Sequence, residues 1–295
     1  METLERDIFD RAALMLGGTA IEKFKNTKVI IFGIGGVGSW CAESLIRTGI
    51  GNLTIVDSDC VSISNVNRQL MATVETVGQV KVEALKTRLL ARNPHANITA
   101  VQAVYSEENA DSFNLASYDV IIDCIDSLKN KVHLILKATN LPKISDCCDE
   151  SDANYAEAET SRSRISHRPR FYSSMGAALK IDPTKVRTAE FWDVKGCTLA
   201  AALRHRMRHA KTFPGCKFKC VYSDEVFNAP GSRSVLANVL ADHAVAIEVL
   251  GSRKPSEKDS ADTWASSKAQ INGSLAHITA IFGFTLAGLV IKDLL

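Results

Sequence analysis

The sequence lacks the cysteine spacing that structural zinc sites use. It contains eight cysteines, but Cys147 and Cys148 are adjacent, Cys216 and Cys220 are four positions apart, and no two form a Cys-x-x-Cys pair. Zinc sites of the finger and ribbon type depend on such pairs, so we expect no structural zinc. The cysteines fall mostly within apolar stretches rather than in a small disulfide framework, which favours a reducing compartment.

The sequence also lacks a signal-peptide start and a strong net charge. Its N-terminus, Met-Glu-Thr-Leu-Glu-Arg-Asp, has no cationic segment followed by an apolar core. We therefore expect no cleaved signal and a cytoplasmic protein. The net charge is +2, and 46% of the 295 residues are hydrophobic. Such a chain can bury a full core, either as one large α/β domain or as one with an appended lobe.

A glycine-rich stretch, Gly-Ile-Gly-Gly-Val-Gly-Ser at residues 33–39, follows an apolar run and opens a segment of helical periodicity. In a nucleotide-binding βαβ unit the first glycine (here Gly33) permits a tight turn. The second (Gly35) lets backbone N–H groups approach a phosphate, and the third (Gly38) lets helix and strand pack closely. Asp57 closes the next apolar run and is placed for a ribose hydroxyl. The alternative is a glycine turn that only tightens packing.

The residues after Asp57 favour a triphosphate over the dinucleotide of a dehydrogenase. Arg68 can make forked hydrogen bonds to phosphate oxygens, Lys81 can act as a point charge, and Asp126 at a strand's carboxyl end can hold Mg²⁺. A hydride-transfer site develops no charge that these groups would neutralise. The structural alternatives are a salt bridge for Arg68, an Asx turn for Asn65 and a helix cap for Asp126.

In the order and spacing of its motifs, the sequence resembles the E1-like adenylyltransferase superfamily, which includes ubiquitin-activating enzymes and adenylyltransferases of thiamin and molybdopterin biosynthesis. The matching motifs are Gly-x-Gly-Gly-x-Gly-Ser from Gly33, Asp-x-Asp-x-Val-x-x-Ser-Asn-x-x-Arg-Gln from Asp57, Gly-x-x-Lys-x-Glu from Gly78, Asn93-Pro94-His95, and Asp-x-x-Asp-Ser from Asp123. The resemblance implies that ATP and Mg²⁺ are bound by Gly33, Gly35, Gly36, Gly38, Ser39, Asp57, Asp59, Asn65, Arg68, Lys81 and Asp126, with Asp126 on the metal.

Further motifs resemble one branch of the superfamily, the tRNA threonylcarbamoyladenosine dehydratases. Arg11 precedes Leu16-Gly17-Gly18, and Ser173-Ser174-Met175-Gly176 leads to Ile181-Asp182-Pro183. The absence of Cys-x-x-Cys pairs separates the sequence from molybdopterin- and thiamin-type members, which usually carry two. The branch implies ATP-dependent cyclisation of N6-threonylcarbamoyladenosine in tRNA through an acyl adenylate, by a homodimer.

Within that branch, the residues assigned to catalysis are Arg11, Arg68, Lys81 and Asp126. Arg11 reaches either the site of its own chain or that of a second subunit. Two other functions stay open. One is an adenylyltransferase that activates the C-terminus of a ubiquitin-like, sulfur-relay or other carrier protein, for which Cys197 and Cys220 are thioester candidates. The other is a sensor that binds ATP without turnover.

Hydrophobic periodicity predicts an α/β fold with a doubly wound, mostly parallel sheet of the Rossmann-like E1 type and an appended C-terminal lobe. The predicted elements are strand 28–33, helix 37–48, strand 53–57, helix 79–92, strand 97–104, helix 107–116, strand 119–124 and helix 129–140. We assign residues 1–145 to the ATP-binding part, 146–170 to a flexible insertion and 171–295 to a substrate and dimerisation part of the same domain. The insertion is either a lid or an artefact of the gene assignment.

A basic region follows the acidic start of that insertion. Residues 161–219 hold fourteen Lys and Arg residues against three acidic ones. A cationic face on a nearly neutral protein is typical of polyanion binding. We expect tRNA to contact Arg204, Arg206, Arg208 and Lys211, aided by the arginines between Arg162 and Arg170. In this helical run Leu199, Ala202 and Leu203 are predicted to pack inward, and a solvated basic helix is the alternative.

The C-terminal segment has an uninterrupted uncharged part from 274 to 291. It is only just long enough to cross a membrane. Its polar residues, with three glycines across 273–288, suit a buried helix as well. We prefer a core or dimer-interface helix, with membrane association as the alternative.

Overall fold

The computed structural model describes residues 2–142, 168–227 and 273–295, with side chains from Ile8 onward. The helices are α1 (Glu2–Leu16), α2 (Gly18–Asn26), α3 (Gly38–Thr48), α4 (Lys81–Leu90), α5 (Leu128–Thr139), α6 (Thr198–His209) and α7 (Ala276–Leu294). The strands are β1 (Lys28–Phe32), β2 (Asn52–Val56), β3 (Asn97–Val101), β4 (Val120–Asp123), β5 (Arg170–Ser174), β6 (Val186–Glu190) and β7 (Lys219–Ser223).

In the described part of the chain these seven strands form one sheet in the order β3-β2-β1-β4-β5-β7-β6. Neighbouring strands are parallel except β6 and β7, which pair antiparallel. Central strands such as β1 carry continuous apolar runs that are buried on both faces, as parallel sheets between helices require. The predicted doubly wound α/β fold is confirmed, and the residues from 168 to 227 extend the same sheet.

Each face of the sheet has its own hydrophobic core. One core lies under α3, α4 and α7 and includes Ile31, Leu45 and Phe282. The other lies under α5 and α6 and includes Phe32, Phe113 and Phe191. The alternation of side chains along β1 sends Ile31 and Phe32 to opposite faces, so one short strand anchors both cores.

The predicted helix over residues 107–116 is wrong. The chain there forms two 3₁₀ turns, Ala110–Phe113 and Leu115–Ser117. Asn114 between them has a φ of 41°, a left-handed conformation that interrupts a right-handed helix. The other elements predicted over residues 28–140 are present, with ends shifted by a few residues.

Helix α7 packs directly on α3. A Cβ on Gly283 would lie 2.6 Å from the carbonyl oxygen of Val37 and 2.8 Å from the nitrogen of Cys41, so the two helices touch at the level of the backbone. Although α7 is long and apolar enough to cross a membrane, 50% of it is buried inside the protein. This packing agrees with our preference for a core helix.

Candidate functional site

The glycine loop between β1 and α3 has the geometry that the sequence predicts. Gly33 has a φ of 82°, and a Cβ there would lie 2.7 Å from the carbonyl oxygen of Cys124. A Cβ on Gly38 would lie 2.0 Å from the carbonyl oxygen of Gly33. Both positions therefore require glycine for the chain to turn from β1 into α3. The turn brings the N-terminus of α3 to the carboxyl edge of the sheet, where such folds bind phosphates.

The two middle glycines of the loop have different surroundings. Beyond its chain neighbours, the nearest described atom to a Cβ on Gly35 would be Nε2 of Gln69 at 3.7 Å, which leaves room for a ligand. A Cβ on Gly36 would lie 3.0 Å from Thr279 of α7. Ser39 is fully buried, and its hydroxyl donates to the carbonyl oxygen of Gly35 at 2.6 Å. This hydroxyl braces the loop, so we expect it to support ATP binding without touching ATP.

Asp57 connects the glycine loop to the end of β2. Its Oδ2 accepts the backbone N–H of Ile34 at 2.9 Å, and its Oδ1 accepts that of Asp59 at 3.0 Å. Each carboxylate oxygen can accept a second hydrogen bond. The half-buried Asp57 therefore both fixes the loop and keeps acceptor capacity for a ribose hydroxyl.

The turn that carries Asn65 and Arg68 is ordered by its own side chains. Asn65 is buried, and its Oδ1 accepts the N–H of Ser62 at 3.1 Å, which closes a capping box on the short 3₁₀ turn Ile63–Asn65 and differs from the Asx turn considered as the alternative. Nη1 of Arg68 donates to the carbonyl oxygen of Ser64 at 2.8 Å and to Oδ1 of Asn67 at 2.9 Å. Both acceptors are uncharged, and both hydrogen bonds come from Nη1 of Arg68. The remaining N–H groups of the guanidinium keep the forked geometry suited to phosphate.

Lys81, predicted from the sequence to act as a point charge, forms an ion pair with Asp59 in the structure. Its Nζ lies 2.8 Å from Oδ2 of Asp59, and the two side chains are 6% and 64% exposed. Burial raises the pKa of Asp59, but the hydrogen bond and charge of Lys81 outweigh this effect and hold that pKa below its ordinary value. Lys81 can contact a phosphate only by sharing its ammonium group with Asp59 or by exchanging that partner.

Asp126 is exposed on the loop after β4, and this loop touches the glycine loop through Cys124. The N-cap position of α5 belongs to Ser127, so Asp126 is not the helix cap considered as its alternative. Carboxylate oxygens are the hard ligands that Mg²⁺ prefers. An exposed carboxylate beside a phosphate-binding loop fits that ion.

Arg11 lies far from the glycine loop of its own chain. On the same helix, Phe9 packs beside Gly49 at the carboxyl end of α3, whereas the loop lies at the amino end. The 11 residues of α3 span about 15 Å. The exposed Arg11 is therefore not brought together with Arg68, Lys81 and Asp126 by the fold of one chain.

The basic helix α6 is only partly solvated, which corrects the expected orientation of its residues. Nη1 of Arg204 donates to the carbonyl oxygen of Phe191 at 2.9 Å, and the guanidinium of Arg208 lies 5.3 Å from the centre of the Trp192 ring. Arg206, Arg208 and Lys211 are exposed, and Arg204 is partly buried. Of the residues expected to pack inward, Leu203 is buried, Leu199 is partly buried and Ala202 is exposed.

A groove at the opposite edge of the sheet continues this basic surface. It has a volume of about 540 Å³, and its lining includes Arg168, Arg170 and Lys217 as well as Lys219, which is paired with Asp293 at 2.7 Å. Arg168 is turned inward, since its Nη1 donates to the carbonyl oxygen of Thr139 at 3.0 Å. Arg162 and Arg164, with most of the predicted insertion, lie outside the described residues.

Two residues that order the rim of the site were not found from the sequence. Oε2 of the buried Glu225 accepts the N–H groups of Ile181 and Asp182 at 2.9 and 3.0 Å. Nδ2 of Asn67 donates to the carbonyl oxygen of Ser274 at 2.9 Å, which ties the Arg68 turn to the start of α7. Both contacts join distant parts of the chain. The only signal available was the adjacency of Asn67 to Arg68.

The two cysteines considered for thioester chemistry are buried. Cys197 is 5% exposed and Cys220 is fully buried. Burial raises the pKa of the Cys220 thiol well above its ordinary value. A thiol must ionise and reach its partner to act as a nucleophile, so the structure gives the carrier-protein alternative no thioester site at Cys220.

Comparisons with known proteins place the chain in one family. Residues 9–295 match the ThiF family. The tRNA threonylcarbamoyladenosine dehydratase of Bacillus subtilis (strain 168) is 34% identical over 219 residues, which are 74% of this chain and 74% of that protein. The molybdopterin-synthase adenylyltransferase of Escherichia coli (strain K12) is 36% identical over 126 residues, which are 42% of this chain and 50% of that protein.

The solved structures include a close likeness over nearly the whole chain. The crystal structure of E. coli tRNA N6-threonylcarbamoyladenosine dehydratase in complex with ATP has a TM-score of 0.70 and 26% sequence identity, and the match covers 98% of this chain and 94% of that chain. The structure of the same enzyme in complex with AMP gives the same values. The likeness thus extends from the glycine loop to α7, beyond the part shared with the molybdopterin-type relative.

Proposed function

Since the chain belongs to the ThiF family, we propose that it is an ATP-dependent tRNA threonylcarbamoyladenosine dehydratase of the cytoplasm. The observation that carries this proposal is the joint placement of the glycine loop, Asp57, Arg68 and Lys81 at one edge of the sheet, in a chain that matches a dehydratase bound to ATP over nearly its full length. The positive charges of Arg68 and Lys81 suit the three phosphates of ATP.

The first chemical step is adenylation of the substrate. The threonyl carboxylate of N6-threonylcarbamoyladenosine attacks the α-phosphate of ATP, and pyrophosphate leaves. Arg68 binds phosphate oxygens through its free N–H groups, Lys81 adds positive charge, and the amino end of α3 faces the phosphates. These groups stabilise the negative charge that grows on the departing pyrophosphate.

The second step needs no nucleophile from the protein. The carbamoyl group of the same side chain attacks the activated carbonyl carbon, AMP leaves, and a proton is released as the ring closes. The carboxylate oxygen departs on AMP, so the modified nucleoside loses the elements of water. Because both reacting groups belong to one nucleoside, proximity supplies much of the rate.

Mg²⁺ would be held by the Asp126 carboxylate together with phosphate oxygens, and when bound it supplies charge neutralisation on the triphosphate. Arg11 completes the site from the second subunit of a homodimer in this proposal. The distance between α1 and the glycine loop within one chain supports that arrangement.

Release of pyrophosphate tests the proposed function. We expect release from ATP and Mg²⁺ when tRNA carrying N6-threonylcarbamoyladenosine is added, with the cyclic nucleoside detected by mass spectrometry after digestion. Matched tRNA without the modification is the control. Release that requires a small carrier protein with a C-terminal Gly-Gly would establish the adenylyltransferase alternative instead, and binding without release in every case would indicate a sensor.

Nucleotide choice provides a prediction that does not depend on tRNA. We expect ATP with Mg²⁺ to bind much more tightly than NAD in calorimetric titrations, because Arg68, Lys81 and Asp126 complement a triphosphate and a metal, whereas Asp57 alone accepts either ribose. Equal affinity for NAD would contradict the assignment and favour a dehydrogenase.

Binding of tRNA is predicted to use two exposed cations, Arg206 on α6 and Lys211 just after its end. This helix starts beside Gly176 and runs about 18 Å toward the opposite edge of the sheet, so Arg206 and Lys211 are placed to contact backbone phosphates away from the modified nucleoside. Each charge removed in Arg206→Gln and Lys211→Gln should reduce the slope of log K against log salt by about one unit. ATP affinity should not change.

Arg204→Gln is the matched control for this experiment. Its guanidinium is engaged with Phe191, so its loss should reduce stability more than it reduces the salt slope. Unchanged slopes in both the Arg206 and Lys211 variants would show that α6 does not contact tRNA. The groove lined by Arg170 and Lys217 would then be the next surface to test.

A further inference from the structure

A buried ion pair lies beneath the loop that carries Asp126. Nζ of Lys131 is 2.7 Å from Oδ2 of Asp123, and both side chains are completely buried. Asp123 ends β4, and Lys131 lies in the second turn of α5. The hydroxyl of Ser173 on the neighbouring strand also donates to Oδ2 of Asp123, at 2.7 Å. Neither charged residue has a role in the chemistry proposed above.

The same two side chains hold the peptide groups on both sides of Ile125. Oδ1 of Asp123 accepts the N–H of Ile125 at 3.0 Å, and Nζ of Lys131 donates to the carbonyl oxygen of Ile125 at 3.1 Å. That carbonyl belongs to the peptide bond that leads into Asp126. The ion pair therefore fixes the backbone from which the exposed carboxylate of Asp126 projects.

Stability is a poor explanation for this arrangement. Removing two charges from water is expensive, and replacing a buried ion pair by uncharged residues of similar volume is often neutral or stabilising. Here the charges also determine the path of a short loop between β4 and α5. Two uncharged side chains of the same size would not make both of the hydrogen bonds to the Ile125 peptide groups.

We propose that Asp123 and Lys131 are positioning residues that orient the Asp126 carboxylate toward the metal bound with ATP. This inference rests on the proposed function, because it assigns Asp126 to the metal. Residues that hydrogen-bond to a metal-binding side chain and orient it typically contribute about 10- to 100-fold to metal affinity or activity. The binding of Mg²⁺, rather than that of the nucleotide alone, should therefore depend on the pair.

The experiment compares the full-length protein with the double variant Asp123→Asn/Lys131→Met, which removes both charges together. In calorimetric titrations of MgCl₂ into protein saturated with ATP, the half-saturating Mg²⁺ concentration should rise about tenfold. ATP affinity measured in EDTA should stay the same. Glu43→Gln is the matched control, because Glu43 is another buried acid in ion pairs, with Arg47 and Arg92, and makes none of the hydrogen bonds to the Ile125 peptide groups.

Ser173→Ala is a second variant that keeps the ion pair and removes one hydrogen bond to Asp123, so it should fold even if the double variant does not. We expect a smaller rise in the half-saturating Mg²⁺ concentration. An unchanged Mg²⁺ dependence in the folded double variant, or in Ser173→Ala if the double variant does not fold, would overturn the inference. The inference would also be overturned if the same variant lost ATP affinity in EDTA by the same factor as it lost Mg²⁺ affinity. If the unsubstituted protein binds ATP without any Mg²⁺ dependence, the assignment of Asp126 to the metal fails as well.

Discussion

Replacement of Arg68 by alanine is expected to weaken transition-state stabilisation by about 2–4 kcal/mol, since it removes a preorganised cation from charge that grows as pyrophosphate leaves. Within residues 2–142, 168–227 and 273–295, its guanidinium donates to two uncharged oxygens through one nitrogen, so little of that part of the fold depends on it. The loss should appear in kcat/KM for pyrophosphate release, with a nearly unchanged melting temperature. Near-normal turnover would remove Arg68 from the site.

Lys81→Met should also lose most of the turnover, and its ion pair makes the comparison informative. Asp59, the partner of Lys81, is 64% exposed, so water can solvate it once the lysine is gone and the stability loss should be modest. Arg47→Ala is a suitable control for both variants. Arg47 pairs with Glu43 on the outer side of α3, and its loss should leave turnover unchanged.

Gly38→Ala is expected to cause the largest structural effect of any single methyl group in the loop. The added Cβ would lie 2.0 Å from the carbonyl oxygen of Gly33, a backbone atom that no side-chain rotation can move away. Overpacking of this kind typically costs about 1–3 kcal/mol and can exceed that range. Unfolding in urea, followed by circular dichroism, measures the change in the free energy of unfolding.

Gly35→Ala is the matched comparison for the same loop. The methyl group would meet Nε2 of Gln69 at 3.7 Å, which is ordinary contact, so stability should change by no more than about 0.5 kcal/mol. The affinity for ATP should fall, because the methyl group occupies the space through which a phosphate approaches the backbone. If Gly35→Ala binds ATP normally, the phosphates do not approach the loop at Gly35.

Local patterns were sufficient to predict most of the ATP-binding half. The glycine spacing predicted the tight turn at Gly33 and the close contact at Gly38 within one short loop, and the end of the next apolar run predicted the position of Asp57. The helix predicted over 107–116 failed because Asn114 adopts a left-handed conformation. Periodicity alone does not reveal such an interruption.

Pairings between distant segments could not be predicted from local patterns. The ion pair between Lys81 and Asp59 and the contact of Arg204 with Phe191 depend on how loops and helices meet in the folded chain. A basic residue looks the same in the sequence whether its charge faces water, a carboxylate or an aromatic ring. For this reason the sequence could not predict which basic residues are paired in the folded chain.

The packing of α7 on the glycine loop has a consequence for protein synthesis. Gly36 touches Thr279, and Val37 touches Gly283, although the ribosome makes these partners at opposite ends of the described sequence. At ordinary translation rates, about 10–50 seconds separate the synthesis of the glycine loop from the synthesis of α7. During this interval the glycine loop of a nascent chain lacks the packing contact with α7. We therefore expect a chain truncated before α7 to be unable to form a complete nucleotide site.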